Sequence, residues 1–372
     1  MHIRSGKNVI KPCLRDGIDV YIESSENDIC TITFVFLSTR KRIQLQAATR
    51  FVPALARLNG ENTPDDIIKD IEISEQELHE FVSYLESRNI VSSKAWFDAI
   101  NFDPIYKSII EKQLYFLMDI LTSPQEVYEV QSRIQKCNIA IFGIGSTGSW
   151  LLVELLQMGF QNFYLYDFKD MNDDSVTRHA FYSSSHGRVN KAEYYKTIAE
   201  KLNPSVNIVA EKLSINTDIG IIKGLNDVDL IINCADEPYI GYTSIFLSRY
   251  CVEHNKSLFV AGGFDAHLAC LGEMIIPGKT PCSDCYNSFF KESLKDWKPL
   301  SHPVIDRTKG FGGLAPLSVF SASAAALSIL RYFLNQEEFF KSAGGRGEFK
   351  FDDYQIDSFV VKRNENCGVC GD

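Results

Sequence analysis

Three glycines and a handful of charged side chains mark where this chain could do chemistry. Gly143, Gly145 and Gly148 form the spacing G-x-G-x-x-G, with Ser146 and Thr147 in the middle of the loop. Glycines so placed allow a sharp turn and let backbone N–H groups approach a phosphate closely. The two hydroxyls add donors. Asp167 follows, where an acidic residue holds ribose hydroxyls in nucleotide-binding folds. Beyond it come Arg178, Lys191 and Asp236. Two cations and a carboxylate after successive elements of a doubly wound sheet converge on its carboxyl edge, an arrangement that suits a triphosphate and its magnesium better than a nicotinamide. Taken singly, Arg178 and Lys191 also read as solvated helix charges and Asp236 as a cap. The ordered set gives them meaning. A second constellation is Cys282-Ser-Asp-Cys285 with Cys367-Gly-Val-Cys370, two C-x-x-C pairs that supply four thiolates for a tetrahedral Zn2+ site.

The elements that must position these groups are legible. The apolar run Ile139 to Phe142 reads as a strand entering the glycine loop. Leu151, Leu152, Leu155 and Leu156 have helical spacing, so the loop opens a helix whose positive N-terminal end faces the same anion. A second strand, Phe163 to Tyr166, ends on Asp167, and a third, Leu230 to Ile232, runs into Asn233-Cys234-Ala235-Asp236. A strand Ser257 to Val260 and an Ala-rich helix Ser321 to Phe333 continue the pattern. The fold class is α/β, a Rossmann-like doubly wound sheet. Residues 287–309, rich in Ser, Lys and Pro, read as a mobile loop over the site. The long separation of the two cysteine pairs makes zinc a structural tie between the C-terminal segment and the domain body. A redox dithiol is the alternative, but such a motif opens a helix and needs no second pair. Most of the other six cysteines, Cys13, Cys30, Cys137, Cys234, Cys251 and Cys270, read as small buried hydrophobes.

The whole chain has 372 residues, 45% of them hydrophobic and 23% charged, with a net charge of −10. That describes a globular protein with ample core and two domains. The acidic balance disfavours broad nucleic-acid binding. No apolar run approaching the roughly 20 residues of a membrane span is evident, and MHIRSGKNVIKP lacks a signal-peptide core. The expected location is cytoplasmic, with no membrane and no nucleic acid as partner. Residues 1–95 read as a small winged-helix-like α+β domain. Its β-prone segments are Asp19 to Glu23, Thr31 to Leu37 and Arg42 to Leu45. Its helices include one capped by Thr63 with Pro64 first, and one opened by a Ser74/Glu77 capping box that buries Leu78, Phe81, Val82 and Leu85. Residues 96–136 read as connector helices, and residues 137–372 as the nucleotide-binding domain with its cysteine pairs.

These motifs, in this order, resemble the ThiF/MoeB/ubiquitin-activating-like adenylating enzymes, over about residues 100–372. Within that family the run Ala235-Asp236-Glu237-Pro238 and the segment Ile276-Pro277-Gly278-Lys279-Thr280 look like the branch that adenylates the microcin C peptide, with the pantocin A pathway a neighbour. The resemblance implies ATP and Mg2+ as cofactors, Asp167 on the ribose, Arg178 and Lys191 on the phosphates, and Asp236 organising magnesium. It also implies a homodimer in which a basic residue, here Lys112, reaches the other copy's ATP site. Where the family carries an arginine, an aspartate, an asparagine and a glutamine, this chain has Lys112, Lys169, Ser175 and His179. The run RLNGENTPDDIIKD…ELHEFVSYLESRNIV resembles leader-peptide recognition domains, which implies that residues 1–95 bind a ribosomal precursor peptide as an added strand. The expected function is ATP-dependent activation of a carboxyl or amide oxygen in that peptide. Two products stay open: a nucleotide-linked peptide or a dehydrated, cyclised glutamate. Activation of a ubiquitin-like sulfur carrier and a non-catalytic peptide-binding adaptor are the alternatives.

Overall fold

The computed structural model describes residues 4–5, 8–9, 11–24, 27–93, 98–183, 188–215, 222, 224–265, 267–297, 312–334 and 345–371. The chain divides into two compact units, residues 1–107 with 111–129 and residues 108–110 with 130–372.

In the first unit, alternating apolar residues build a three-stranded antiparallel sheet from Ile18–Ser24, Ile29–Phe36 and Arg42–Ala48. Ile32 and Phe34 of the central strand are fully buried. Against them pack Leu78, Phe81, Val82 and Leu85 of the helix Glu75–Ser87. That helix starts where the sequence predicts it. Ser74 Oγ accepts from the Glu77 N–H, and the Glu77 carboxylate accepts from the Ser74 N–H at 2.8 Å. The same reciprocal box opens Pro64–Ile68, with Thr63 and Asp66. Each box satisfies donors that helix geometry leaves orphaned. The helices Pro104–Ile120 and Pro124–Lys136 follow.

The second unit is organised by a six-stranded sheet in the order Asn207–Glu211, Asn162–Tyr166, Asn138–Phe142, Leu230–Asn233, Ser257–Val260, Glu273–Ile275. The first five strands are parallel and the sixth is antiparallel. Central parallel strands are covered on both faces, so they read as continuous apolar runs. All four residues of Leu230–Asn233 and of Ser257–Val260 are buried. The chain steps from Asn138–Phe142 outward to one side and then returns to the other side through Leu230–Asn233. Strand order therefore reverses between those two strands, which is where doubly wound sheets open a crevice at their carboxyl ends. A four-stranded antiparallel sheet carries Phe264–Asp265, Leu268–Cys270, Gly345–Lys350 and Ile356–Val360.

Two expectations are corrected. The segment 287–309 does not begin as a loop: helix Ser283–Ser293 runs through its first seven positions. Phe289 and Phe290 in that run pack on Phe359, with ring centroids 5.5 Å and 5.7 Å away, and aromatic packing outweighs the Ser and Lys content. Positions 298–309 lie outside the described residues, as do Gly310 and Phe311. Secondly, one described helix, Ala315–Leu334, is long and apolar enough, by length and composition, to cross a membrane. Its alanines and serines disguise the run in the sequence. Half of its most apolar window is buried, and it packs on the helix Ser146–Gln157, where Ser323 donates to Glu154 at 2.7 Å.

Candidate functional site

The glycine loop leaves Asn138–Phe142 and turns at once into Ser146–Gln157. Two of its glycines are required by space. Gly143 has φ +86°, and a Cβ there would lie 2.6 Å from the Ala235 nitrogen. A Cβ on Gly148 would lie 2.2 Å from the Gly143 carbonyl oxygen. A Cβ on Gly145 meets nothing within 4 Å, so this glycine leaves its side of the loop open to a ligand. It is the N-cap of the helix, with no side chain on the first free N–H groups.

Asp167 fixes the loop from the neighbouring strand. Its Oδ2 accepts from the Ile144 N–H at 2.8 Å and its Oδ1 from the Lys169 N–H at 2.8 Å. The carboxylate is buried, and burial raises its pKa against the pull of those N–H groups and of Lys191. Lys191 is the first residue of the helix Lys191–Leu202, started by Asn190, whose Oδ1 accepts from the Ala192 N–H at 3.0 Å. The Asn190 amide donates to the carbonyls of Asp167 and Lys169 at 2.9 Å and 3.0 Å. Burial lowers the Lys191 pKa, and Asp167 and Asp236 oppose that shift. Asp236 follows the strand Leu230–Asn233, whose terminal Asn233 is fully buried. The Asn233 amide donates to Thr243 and Ser244, both at 3.0 Å, while its Oδ1 accepts from the Ala235 N–H.

The structure thus brings Gly143, Gly145, Asp167, Lys191 and Asp236 around one cleft, together with Lys169 and Glu237. Lys169 and Glu237 form an ion pair. Ser146, Thr147, Gly148 and Arg178 are not among the cleft's lining residues. Ser146 and Thr147 begin the helix, with Thr147 buried. Arg178 is exposed just after the short helix Asp173–Thr177, and its carbonyl accepts from the Trp150 indole at 3.0 Å. Lys112 belongs to the first unit, where its ammonium lies over the Tyr115 ring at 5.8 Å. Sequence reasoning missed Asn190 and Asn233, which orient Lys191 and the Asp236 loop. The signal for Asn190 was present: asparagine before a helix is a preferred N-cap.

His179 is buried beside this cleft's cations, with its ring 6.3 Å from that of Tyr195 and its Nδ1 without a hydrogen-bond partner. Burial, then Lys191 and Arg178, push its pKa down to about 3.

Elsewhere in the second unit, the sulfurs of Cys282, Cys285, Cys367 and Cys370 lie within 4.8 Å of one another. The separations Cys282–Cys285, Cys282–Cys367 and Cys285–Cys370 are 3.9, 3.7 and 3.5 Å. Four thiolates around Zn2+ at about 2.3 Å would stand about 3.8 Å apart. The donor set therefore fits such an ion. The two pairs come together because Cys282 starts the helix Ser283–Ser293, while Cys367 and Cys370 follow the last strand, Ile356–Val360.

A parallel sheet with a glycine loop, a strand-end carboxylate and a helix-borne lysine at its switch point defines a doubly wound α/β nucleotide-site protein. The ThiF family model matches residues 120–369, and the chain belongs to that family. Among curated proteins it is 24% identical over 251 residues to ubiquitin-like modifier-activating enzyme 5 of Caenorhabditis elegans, covering 63% of this chain and 58% of that protein. To the adenylyltransferase and sulfurtransferase UBA4 of Scheffersomyces stipitis it is 23% identical, covering 65% and 52%. The chain spans little more than half the length of these relatives. In fold it is similar to E. coli MccB determined with ATP, at TM-score 0.68, 18% identity and coverage of 97% and 99%. It is similar also to PaaA, at TM-score 0.66, 16% identity and coverage of 93% and 99%.

Two outcomes follow. Gly148→Ala drives a methyl group into the Gly143 carbonyl and should cost about 1–3 kcal/mol more than Gly145→Ala, which denaturant midpoints measure; equal effects would contradict the loop geometry. For His179 the folded state resists protonation until about pH 3, while the unfolded chain protonates near 6.5. The unfolded state then binds more protons, so stability falls as pH drops from 6.5 towards 3. His179→Gln should lose less stability over that window than the wild type, as acid-dependent urea titrations measure.

Proposed function

We propose that this chain is an ATP-dependent enzyme that activates a ribosomally made precursor peptide by adenylation, in peptide-antibiotic biosynthesis. The observation that carries the reading is the convergence of Gly145, Asp167, Lys191 and Asp236 on one cleft at the sheet's switch point. In this reading Asp167 accepts from ribose hydroxyls through its remaining lone pairs. The loop N–H groups and the helix start at Gly145 hold phosphate oxygens. Lys191 would neutralise the polyanion as a peptide oxygen approaches it, which is the main electrostatic obstacle to the reaction, and Arg178, outside the cleft lining in this structure but close enough to act on the charge of Lys191, would add to it. Asp236 would hold Mg2+, which would draw charge from the phosphates. The peptide oxygen bonds to the α-phosphorus and the bond to pyrophosphate breaks, so little covalent work falls to the protein.

Residues 1–95 would bind the leader. The exposed Tyr21 and Ile22 on the edge strand Ile18–Ser24 support strand addition there. The fold likeness to MccB, whose structures include complexes with MccA, supports a peptide substrate. A second copy of the chain would supply Lys112 in trans. Lysine would give charge but not the forked grip of arginine. The cysteine cluster would hold Zn2+ as a structural tie, and paired C-x-x-C motifs of this kind suit a reducing, cytoplasmic setting.

The names of the curated relatives favour a second reading, activation of a ubiquitin-like sulfur carrier. ATP–pyrophosphate exchange separates the two. With the short peptide encoded beside this gene, exchange should appear and fall about 100-fold or more in Asp236→Ala. Exchange supported only by a ubiquitin-like carrier would select the second reading, and none with either would leave a non-catalytic adaptor. For the cluster, one zinc per chain is expected by elemental analysis, lost together with thermal stability in Cys370→Ser; metal-free, fully stable protein would remove zinc from the account.

A further inference from the structure

Next to the nucleotide cleft lies a second cavity, whose polar groups the reaction described above does not use. The two are contiguous in the chain: Asp236 and Glu237 line the cleft, and Tyr239 lines the cavity. Its floor is Glu273, the first residue of the edge strand Glu273–Ile275, in register with Val260. The Glu273 side chain is 6% exposed. Arg346, on the strand Gly345–Lys350, faces it, with Nη1 3.8 Å from Oε1, and rests its guanidinium 5.7 Å from the centre of the Phe290 ring. Glu273 Oε2 has no hydrogen-bond partner. Ser244, Ser283, Tyr286 and Asn287 add further polar side chains to the lining, with Tyr239.

A buried carboxylate oxygen without a donor is costly, and a 3.8 Å contact to arginine is too long for a hydrogen bond. The pair is half-made. Oε2 requires a donor, and Arg346 presents donors that Glu273 does not fill. The charges of the two side chains cancel, so a bound anion would leave one uncompensated negative charge in a buried site, and a bound cation one positive charge. A neutral group carrying a donor and an acceptor side by side satisfies both residues and keeps the balance. Among protein side chains that group is the carboxamide of asparagine or glutamine.

We propose that this cavity is a carboxamide-recognition pocket, in which the ligand's amide N–H donates to Glu273 Oε2 and its carbonyl accepts from Arg346. The amide selectivity follows from the cavity alone. Its assignment to an asparagine or glutamine of the substrate, held beside the nucleotide cleft, rests on the peptide-activating reading above.

Ligand-observed NMR on the full chain without nucleotide tests it, using propionamide, propionate and n-propylammonium as neutral, anionic and cationic probes of similar size. Burial pushes the Glu273 carboxyl up to about 7, with Arg346 pulling the other way; Tyr286 and Cys270 are the other titratable groups facing it. Titrations therefore run at pH 8.5, where the carboxylate is ionised. Propionamide should bind about tenfold tighter than either ion. Glu273→Gln leaves Arg346 uncompensated and should turn the preference to propionate, while Arg346→Gln should turn it to n-propylammonium. Either switch supports the pocket, so one folded variant suffices. Equal binding of the three probes by the wild type, or propionamide preference unchanged in a folded variant, overturns it. ATP–pyrophosphate exchange with the peptide is scored separately: exchange that persists without amide preference removes the pocket and leaves the peptide reading standing.

Discussion

The second unit depends on one buried carboxylate. Asp167 ties the glycine loop to the neighbouring strand end through its bonds from the Ile144 and Lys169 N–H groups, and the Asn190 amide closes the junction onto the carbonyls of Asp167 and Lys169. A loop of small residues would otherwise pay conformational entropy each time it met a phosphate. Held from two sides, it is preorganised. The same junction sets the start of the helix that bears Lys191, so loop, acid and cation are placed by a single set of hydrogen bonds.

Electrostatics around that junction are balanced rather than strongly positive. Lys191 is half-buried near Asp167 and Asp236, and Lys169 is engaged by Glu237. A polyanion with its magnesium would enter a cleft in which Lys169 is already paired and Lys191 lies in the field of two carboxylates, not an empty basic pocket. The neighbouring Glu273–Arg346 pair repeats this logic in a drier place, where an incomplete pair is more expensive.

Much of this was legible in the sequence because local chemistry and fold agree. Four strands of the parallel sheet, the N-cap at Thr63, the capping box at Ser74 and the meeting of the four cysteines follow from apolar runs, cap residues and ligand spacing, whereas the edge strand Asn207–Glu211 was missed. Other features were not legible for physical reasons. Ser283–Ser293 was hidden because its composition is polar while its stability comes from Phe289 and Phe290 packing on Phe359, a contact made across 70 residues. The helix Ala315–Leu334 was legible from Ser321 to Phe333, but its full apolar length was hidden because serines and alanines mask it in a residue-by-residue reading. Asn233 and Glu273 carry no motif; each acts through partners brought close only by the fold. Arg178 shows the opposite case, a residue of recognisable spacing that lies outside the cleft lining in this structure.

In the proposed reaction the cleft delivers the α-phosphorus of ATP to an oxygen of a short peptide. Mass spectrometry of the peptide encoded beside this gene, after incubation with the protein, ATP and magnesium, tests it most directly. Such delivery yields a peptide heavier by one nucleotide, or one lighter by water with matching release of AMP and pyrophosphate. An unchanged peptide beside unconsumed ATP would contradict it.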